Sequence, residues 1–248
     1  MDTRDLQSNW NQLGRIDPLG SILRRSGNQS GEWDLGEFFA TGHREIELVM
    51  AHVESLGHRI PHGKALDFGC GVGRLTQALA AYFDEVHAVD IAPSMIALAK
   101  RYNRHGTRCT YYVNSADNLG LFQDSSFAFA CTSLTLQHME PRYSKGYLRE
   151  LLRILVPHGL LVFDLPELHP RALKGVLIRI TPLALLRSYR QMVYRAKYRN
   201  QPVSEMHWMR RQEVVALLQR HGAKTLDITQ GEISGVGWLS LRYYVAKE

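Results

Sequence analysis

Short apolar runs alternate with amphipathic segments through the middle of the chain. The runs are bounded by glycine or polar clusters and predict buried strands at 64–68, 85–90, 109–113, 127–133 and 159–165. The segments between them have apolar residues at helical spacing, which predicts helices at 74–83, 93–105 and 142–156. Strands that alternate with helices form a mostly parallel sheet covered on both faces, so we expect an α/β fold.

The pattern changes in the last forty or so residues. A helix predicted at 210–221 is followed by Gly222, a common residue at helix ends. Two strand-like runs come next, at 223–229 and 238–246, with about eight residues between them, too few for a crossover helix. We therefore expect an antiparallel pair beside a sheet that is otherwise parallel.

Two regions lie outside this alternation. Residues 1–62 hold Gly, Pro and polar clusters, with helices expected near 37–56, and we expect them to form an N-terminal cap. Residues 63–248 are expected to form a single domain. Within it, residues 166–209 separate the fifth strand from the last helix and have the amphipathic spacing of a lid-like insertion.

This insertion is strongly basic. The formal net charge of the chain is +6, and residues 171–211 contain ten Lys or Arg with one acid, Glu205, so the remainder is net negative. Such a segment is most often a solvated surface helix. It can also bind an anionic acceptor, or lie on an anionic membrane and collect a lipid-linked acceptor. These alternatives stay open, and nothing in the sequence indicates the oligomeric state.

Composition is that of an ordinary globular protein, with 248 residues of which 45% are hydrophobic and 22% charged. The three cysteines lie far apart, and no His or Cys pair has zinc-ligand spacing, so we expect no metal and a reducing compartment. The first residues are charged rather than apolar, and no run approaches the roughly 20 apolar residues of a membrane span. We expect a cytoplasmic protein.

A glycine-rich loop follows the first predicted strand, in the segment Asp67-Phe68-Gly69-Cys70-Gly71-Val72-Gly73-Arg74. Glycines there permit a tight turn and a close approach of a ligand to the backbone. A dinucleotide fingerprint needs a small residue where Arg74 stands, and Asp67 suits a cationic ligand better than a pyrophosphate. The pattern Asp-x-Gly-x-Gly-x-Gly resembles motif I of class I methyltransferases that use S-adenosylmethionine (SAM), within the broad small-molecule group.

The resemblance implies a Rossmann-like, mostly parallel sheet of seven strands with an antiparallel last strand, and SAM as cofactor. In the family, the acid and the loop hold the aminoacyl end of SAM, and an acid after the second strand accepts hydrogen bonds from both ribose hydroxyls. The residues that match these positions are Asp67, Gly69, Gly71, Gly73 and Asp90.

Other positions are assigned to the cofactor on the same resemblance. Ile91 and Met95 are expected against the adenine or ribose, and Asp117 is expected to accept a hydrogen bond from the adenine amino group. Ser133 ends the predicted fourth strand, and Arg44 is placed to reach the SAM carboxylate from the cap. Each has a plain structural alternative: core packing, a turn residue or a solvated helix residue.

The segment 155–163 resembles the family's helix-to-strand turn, where Leu-x-Pro-Gly-Gly is usual. His158 stands in place of the first of those two glycines. This exchange is tolerable if the residue need not take a positive φ.

A histidine is the expected proton acceptor if the methyl acceptor is a hydroxyl or a protonated amine. His138 lies at the exit of the fourth strand, where ligands bind in open α/β sheets. His207, just before the last helix, is a second candidate, and Asp164 in the fifth strand is a third. The alternative for each is that it only orders its loop.

These observations predict in-line transfer of a methyl group from SAM to an oxygen or nitrogen of a small-molecule acceptor. The basic segment leaves a nucleic-acid or lipid-linked substrate as the alternative. Enzymes that methylate a base nitrogen often have Asn/Asp-Pro-Pro-aromatic after the fourth strand, whereas residues 132–135 are Thr-Ser-Leu-Thr, so a nucleic-acid partner is not expected. A SAM-binding protein without catalysis is a further alternative. No Gly-x-Ser-x-Gly pattern supports a hydrolase.

Overall fold

A computed structural model describes residues 3–23, 33–168, 205–231 and 238–248. Its sheet has seven strands in the order β3-β2-β1-β4-β5-β7-β6. The strands are β1 (Lys64–Phe68), β2 (Val86–Asp90), β3 (Cys109–Val113), β4 (Phe127–Thr132), β5 (Leu155–Leu168), β6 (Ala223–Gln230) and β7 (Trp238–Lys247).

The sheet has the predicted mixture of directions. Strands β1 to β5 pair in parallel, and β7 pairs antiparallel with both β5 and β6. The expectation of a Rossmann-like sheet with an antiparallel end is therefore confirmed. The reversal of chain order beside β1 places the carboxyl ends of β1, β2 and β4 along one edge, where ligands bind in folds of this kind.

Helices cover both faces of the sheet. They are α1 (Thr3–Ile16), α2 (Leu35–Ser55), α3 (Arg74–Leu79), α4 (Pro93–Tyr102), α5 (Pro141–Ile154) and α6 (Arg211–Arg220). Helix α3 is shorter than the predicted 74–83, because N–H groups of the next residues bond three residues back in a tightened turn, as with Tyr82 to Leu79. Gly222 follows α6 with a φ of +68°, in the left-handed conformation expected of a helix stop.

The start of β5 differs from the sequence expectation. Helix α5 runs directly into a strand that begins at Leu155, rather than at 159 after a turn. His158 has a φ of +64°, so the condition under which we expected His to replace Gly there is not met. A left-handed conformation costs a residue with a Cβ about 1–2 kcal/mol, and this exposed position sustains that strain.

The core lies on both sides of the sheet. One cluster packs α5 and α6 against the strands, and its α5 members include the predicted stripe of Leu148, Leu151 and Leu152. A second cluster packs α2 and α3 on the opposite face around Phe129. A third, smaller cluster joins α2 to α4 through Phe38, Val72, Ala92 and Met95.

Residues 169–204 lie outside the described residues, and they include most of the basic segment at 171–211 and of the overlapping insertion at 166–209. Within the described ranges, no helix is long and apolar enough to cross a membrane.

Candidate active site

The glycine loop joins β1 to α3 and lies against the end of β2. Gly69, Gly71 and Gly73 have φ values of +76°, +54° and +86°, which explains why glycine stands at all three positions. A Cβ on Gly71 would lie 2.6 Å from Cδ1 of Ile22, and one on Gly69 would clash with Thr135. The loop is therefore a backbone-lined surface that approaches its neighbours more closely than side chains would allow.

Asp90 ends β2 beside this loop, and its carboxylate is held by two backbone N–H groups. Gly71 donates to Oδ2 at 2.9 Å, and Ala92 donates to Oδ1 at 2.8 Å. Burial raises the pKa of Asp90, and these N–H groups act in the opposite direction. Because a carboxylate has about four lone-pair sites, each oxygen keeps capacity for a further donor such as a ribose hydroxyl.

Asp67 lies deeper, at the end of β1. Its side chain is 2% exposed and accepts a hydrogen bond from the Thr76 hydroxyl at 2.6 Å. Burial raises the pKa of Asp67 to about 6, although Thr76 and the charge of Arg74 partly counter this effect. The carboxylate is therefore ionised at neutral pH and becomes neutral under mildly acidic conditions.

The remaining residues assigned to the nucleoside flank the loop. Met95 is buried in the cluster between α2 and α4, and Ile91 is partly buried. Asp117 is exposed in the turn after β3, where it accepts a hydrogen bond from Asn118. Its carboxylate is thus accessible to a ligand.

The residues that follow β4 pack against the glycine loop. Leu134 has a φ of +60°, a strained conformation for a branched side chain. Thr135 donates a hydrogen bond to a backbone carbonyl, with Gly69 O at 3.4 Å and Ser133 O at 3.1 Å as the two acceptors in reach. Backbone strain of this kind is often found at functional sites.

Ser133 belongs to a buried ionic network rather than to the loop. Its hydroxyl lies 2.9 Å from Oε1 of Glu45 and 2.8 Å from Oδ2 of Asp164, and its one proton serves either carboxylate. Arg242 binds both oxygens of Asp164, at 2.7 and 2.8 Å, and also contacts Glu45. Glu45 forms a further ion pair with Arg74 at 2.7 Å.

Sequence reasoning missed most of this network. Burial raises the pKa of Glu45, but Arg74 and Arg242 outweigh it and the net pKa is lowered, so the carboxylate stays charged. Asp164, which we placed as a proton acceptor, is the ion-pair partner of Arg242 within β5. No motif signals these contacts, since Glu45 and Arg242 are 197 residues apart.

Arg44 does not lie with these groups. It is exposed on α2, whereas the adjacent Glu45 points inward to Arg74 and Ser133. Helix geometry explains this, because consecutive residues project about 100° apart. Across the described ranges, no group of three or more His, Cys, Asp or Glu residues is arranged to hold a metal ion.

His138 ends the short 3₁₀ turn after β4. Its Nδ1 lies 2.9 Å from the backbone carbonyl of Glu205, so Nδ1 carries the proton and donates it. Nε2 is then the acceptor nitrogen, with the Gln137 amide 3.3 Å away. Burial lowers the pKa of His138 to about 4, with a small opposing effect from the Glu205 carbonyl.

His207 lies close to His138 in space. Its backbone N–H donates to the carbonyl of Gln137 at 2.7 Å, and its Nε2 lies 3.1 Å from a carboxylate oxygen of Glu205. Burial lowers the pKa of His207, and Glu205 opposes that effect. The structure thus brings the two predicted histidines together, at the carboxyl end of β4.

Comparison with known proteins agrees with this architecture. Residues 65–159 match the family model described as a methyltransferase domain. The chain is 27% identical over 173 residues to a ubiquinone biosynthesis O-methyltransferase from Xanthomonas axonopodis pv. citri, covering 69% of this chain and 68% of that protein. It is also 27% identical over 169 residues to the enzyme of that name from Methylococcus capsulatus, covering 68% and 66%.

Solved structures share the fold at lower identity. Magnesium protoporphyrin IX methyltransferase from Synechocystis PCC 6803, with bound SAH, superposes with a TM-score of 0.66 at 16% identity, covering both chains fully. The same enzyme is known with bound SAM. Geranyl diphosphate C-methyltransferase from Streptomyces coelicolor gives a TM-score of 0.59 at 12% identity, covering 99% of this chain and 98% of that one. Residues 65–159 therefore form a methyltransferase domain, and the chain has the fold of class I SAM-dependent methyltransferases.

Proposed function

We propose that this enzyme methylates a hydroxyl oxygen of a small-molecule acceptor and that His138 removes the hydroxyl proton. The observation that carries the proposal is the tautomer of His138. Because Nδ1–H is committed to the Glu205 carbonyl, the unprotonated Nε2 is the nitrogen that can accept a proton. The hydrogen bond from the Gln137 amide to Nε2 is 3.3 Å long and therefore weak, so an acceptor hydroxyl can replace it.

The residues around the glycine loop fit SAM. Asp90 would accept hydrogen bonds from the ribose hydroxyls, and Asp117 from the adenine amino group, beside Ile91 and Met95. The three glycines let the loop take its tight left-handed turns, and a Cβ on Gly71 would lie 2.6 Å from Cδ1 of Ile22. The aminoacyl end of SAM would lie against this backbone. Arg44 is exposed on α2 and would bind the SAM carboxylate only if the cofactor reaches that side of the helix. We assign Ser133 to the ionic network that fixes the exit of β4.

Asp67 contributes through its charge. When bound, SAM supplies an activated methyl group on a positively charged sulfonium. The buried carboxylate of Asp67 lies at the base of the loop and favours a cation there, with little solvent to screen the attraction. His138 remains neutral at physiological pH, because burial holds its pKa near 4. A pKa this low also makes it a weaker base than an imidazole that titrates near 7.

The small-molecule acceptor is supported by the relatives. Their names place them in ubiquinone biosynthesis and on magnesium protoporphyrin IX. The sequence 132–135 lacks the motif that many base-methylating enzymes have at this position. A hydroxyl is preferred over an amine because the matched curated relatives are O-methyltransferases by name.

Labelled methyl transfer tests this assignment. The purified protein is incubated with methyl-labelled SAM and, in separate reactions, catechol, 3,4-dihydroxybenzoate, a porphyrin dicarboxylate, transfer RNA or a metabolite extract. We expect label in an alkali-stable methyl ether of a small molecule. Label confined to RNA or protein would reject the proposal. The Asp90→Ala variant, run in parallel, controls for label transferred by contaminants.

A further inference from the structure

Helix α1 precedes the residues of the methyltransferase domain and reaches the proposed site from outside it. The Gln7 amide donates to the carbonyl of Ile91 at 3.0 Å. Asn11 Oδ1 accepts from the N–H of Ser94 at 2.9 Å, and the Ser94 hydroxyl donates to the carbonyl of Asn11 at 2.8 Å. These three hydrogen bonds fix α1 to the loop after β2 and to the first turn of α4.

A glycine sets how closely α1 approaches α4. A Cβ on Gly14 would lie 2.4 Å from the Ser94 hydroxyl oxygen and 3.2 Å from Cγ of Met95. A larger residue would therefore either displace the Ser94 hydroxyl from its bond to Asn11 or push the two helices apart. Leu6 and Leu13 are also buried, so the inner face of α1 is packed along most of its length.

Docking in this position places Trp10 against His138. Trp10 shares the inner face with Leu6 and Leu13, since residues three and four apart lie on one side of a helix. Its ring centroid lies 5.1 Å from that of the His138 imidazole, edge to face at 65°. Aromatic edge contacts of this geometry favour one ring orientation.

We propose that Trp10 is a positioning residue for the reaction: its ring covers the His138 imidazole and keeps it oriented and dry, and it does so only when α1 is docked on α4. Among the described residues, the groups that face His138 include the Glu205 carbonyl, the Gln137 amide and the His207 ring. Trp10 is the apolar member of this set, and it comes from the N-terminal region rather than from the matched domain. This inference rests on the proposed role of His138 in the reaction.

The titration of His138, followed by NMR on histidine-labelled protein, tests the covering role directly. In the wild type we expect an apparent pKa well below the usual value. Trp10→Ala should raise it by about one unit or more, because water then reaches the charged form. Trp10→Phe should keep most of the wild-type behaviour. An unchanged His138 titration in a folded Trp10→Ala protein would overturn the proposal.

A second variant tests the docking without altering either ring. Asn11→Ala removes the acceptor of the Ser94 N–H and should shift the His138 titration in the same direction as Trp10→Ala. Gln12→Ala is the matched control, because Gln12 is exposed on the same helix turn. A wild-type titration in Asn11→Ala would also overturn the proposal.

These measurements need neither SAM nor an acceptor. They therefore succeed or fail independently of methyl transfer. A shifted titration in Trp10→Ala together with full turnover in His138→Ala would retain the covering role of Trp10 and reject the proposed function of His138. An unchanged titration in Trp10→Ala together with a large loss of turnover in His138→Ala would reject the covering role of Trp10 and retain the proposed function of His138.

Discussion

The N–H of Gly71 donates a hydrogen bond to Oδ2 of Asp90 at 2.9 Å, which joins the glycine loop to the end of β2. Ala92 donates to the other oxygen, so the carboxylate is held in one orientation before any ligand arrives. A group that is held in its binding orientation loses less entropy when the ligand binds. Asp90 is therefore expected to contribute strongly to cofactor affinity.

Replacement of Asp90 by Ala should weaken SAM binding by about 1.5–3 kcal/mol, the range for hydrogen bonds to a charged group. This corresponds to a roughly 10- to 150-fold higher Kd, measured by calorimetry. Asp84→Ala is the matched control, because Asp84 is an exposed aspartate near the same strand. Equal affinities for SAM in the two variants would contradict the assignment.

Affinity for SAM should fall as the pH is lowered from 7.5 to 5. The pKa of Asp67 is raised to about 6, so its carboxylate loses its charge in this range and no longer attracts a cation. Asp67→Asn should bind SAM more weakly at pH 7.5 and show a smaller pH dependence than the wild type.

The same shift predicts an opposite effect on stability. Because the native pKa of Asp67 is above its unfolded value of about 3.9, the native state binds more protons between pH 4 and 6. This residue therefore stabilises the fold as the pH falls and costs stability as the pH rises through 6. Asp67→Asn should have a Tm at pH 7.5 at least as high as the wild type. A large fall in Tm would show that its charge is needed for folding.

His138→Ala should lower kcat by about 10²-fold while leaving the Kd for SAM near the wild-type value. Because burial lowers the pKa of His138 to about 4, titration of this residue should not reduce kcat at saturating SAM until the pH falls below about 5. An exposed imidazole would lose half of its base form near pH 6.5. His43→Ala, on the exposed side of α2, is the control. If His207→Ala has the large effect instead, the role of base passes to His207.

Loss of Arg242 should destabilise the fold more than loss of a surface ion pair. Arg242→Met leaves the carboxylates of Glu45 and Asp164, which are 19% and 7% exposed, without their shared cation. Breaking a buried pair from one side costs about 3–5 kcal/mol. Lys64→Met breaks the exposed pair with Glu85 and should cost less than about 1 kcal/mol. Urea denaturation of both variants measures the difference, and equal midpoints would contradict it.

The sequence was informative where structure is local. The apolar runs of β1 to β4 are each bounded by a polar or glycine residue, and the strand bounds agree with the prediction to within a residue. The loop from Gly69 to Gly73 and Asp90 were predicted from their resemblance to a family motif. The structure brings them into contact because β1 and β2 are neighbouring strands. His138 and His207 were found through their positions relative to β4 and the last helix.

Contacts between distant segments could not be predicted in this way. Trp10 and Glu45 lie on helices whose apolar spacing shows an inner face without showing which residues it meets. Arg242 fits the alternating pattern of β7 like any other strand residue. Only the register between β5 and β7 places it opposite Asp164. The expectation for His158 failed for a different reason. A residue with a Cβ usually avoids a positive φ, but the fold imposes one at this position.

Strand β7 comes after every other strand in the sequence, yet it lies between β5 and β6. Ribosomes add about 5–20 residues per second, so β5 keeps an unpaired edge until β7 has been made and released. Until then Asp164 also lacks its guanidinium partner, because Arg242 is on β7. The nascent polypeptide consequently passes through a stage in which six strands have been synthesised but β5 is still an open edge and β6 has no partner. At that stage association with chaperones competes with strand pairing between neighbouring chains.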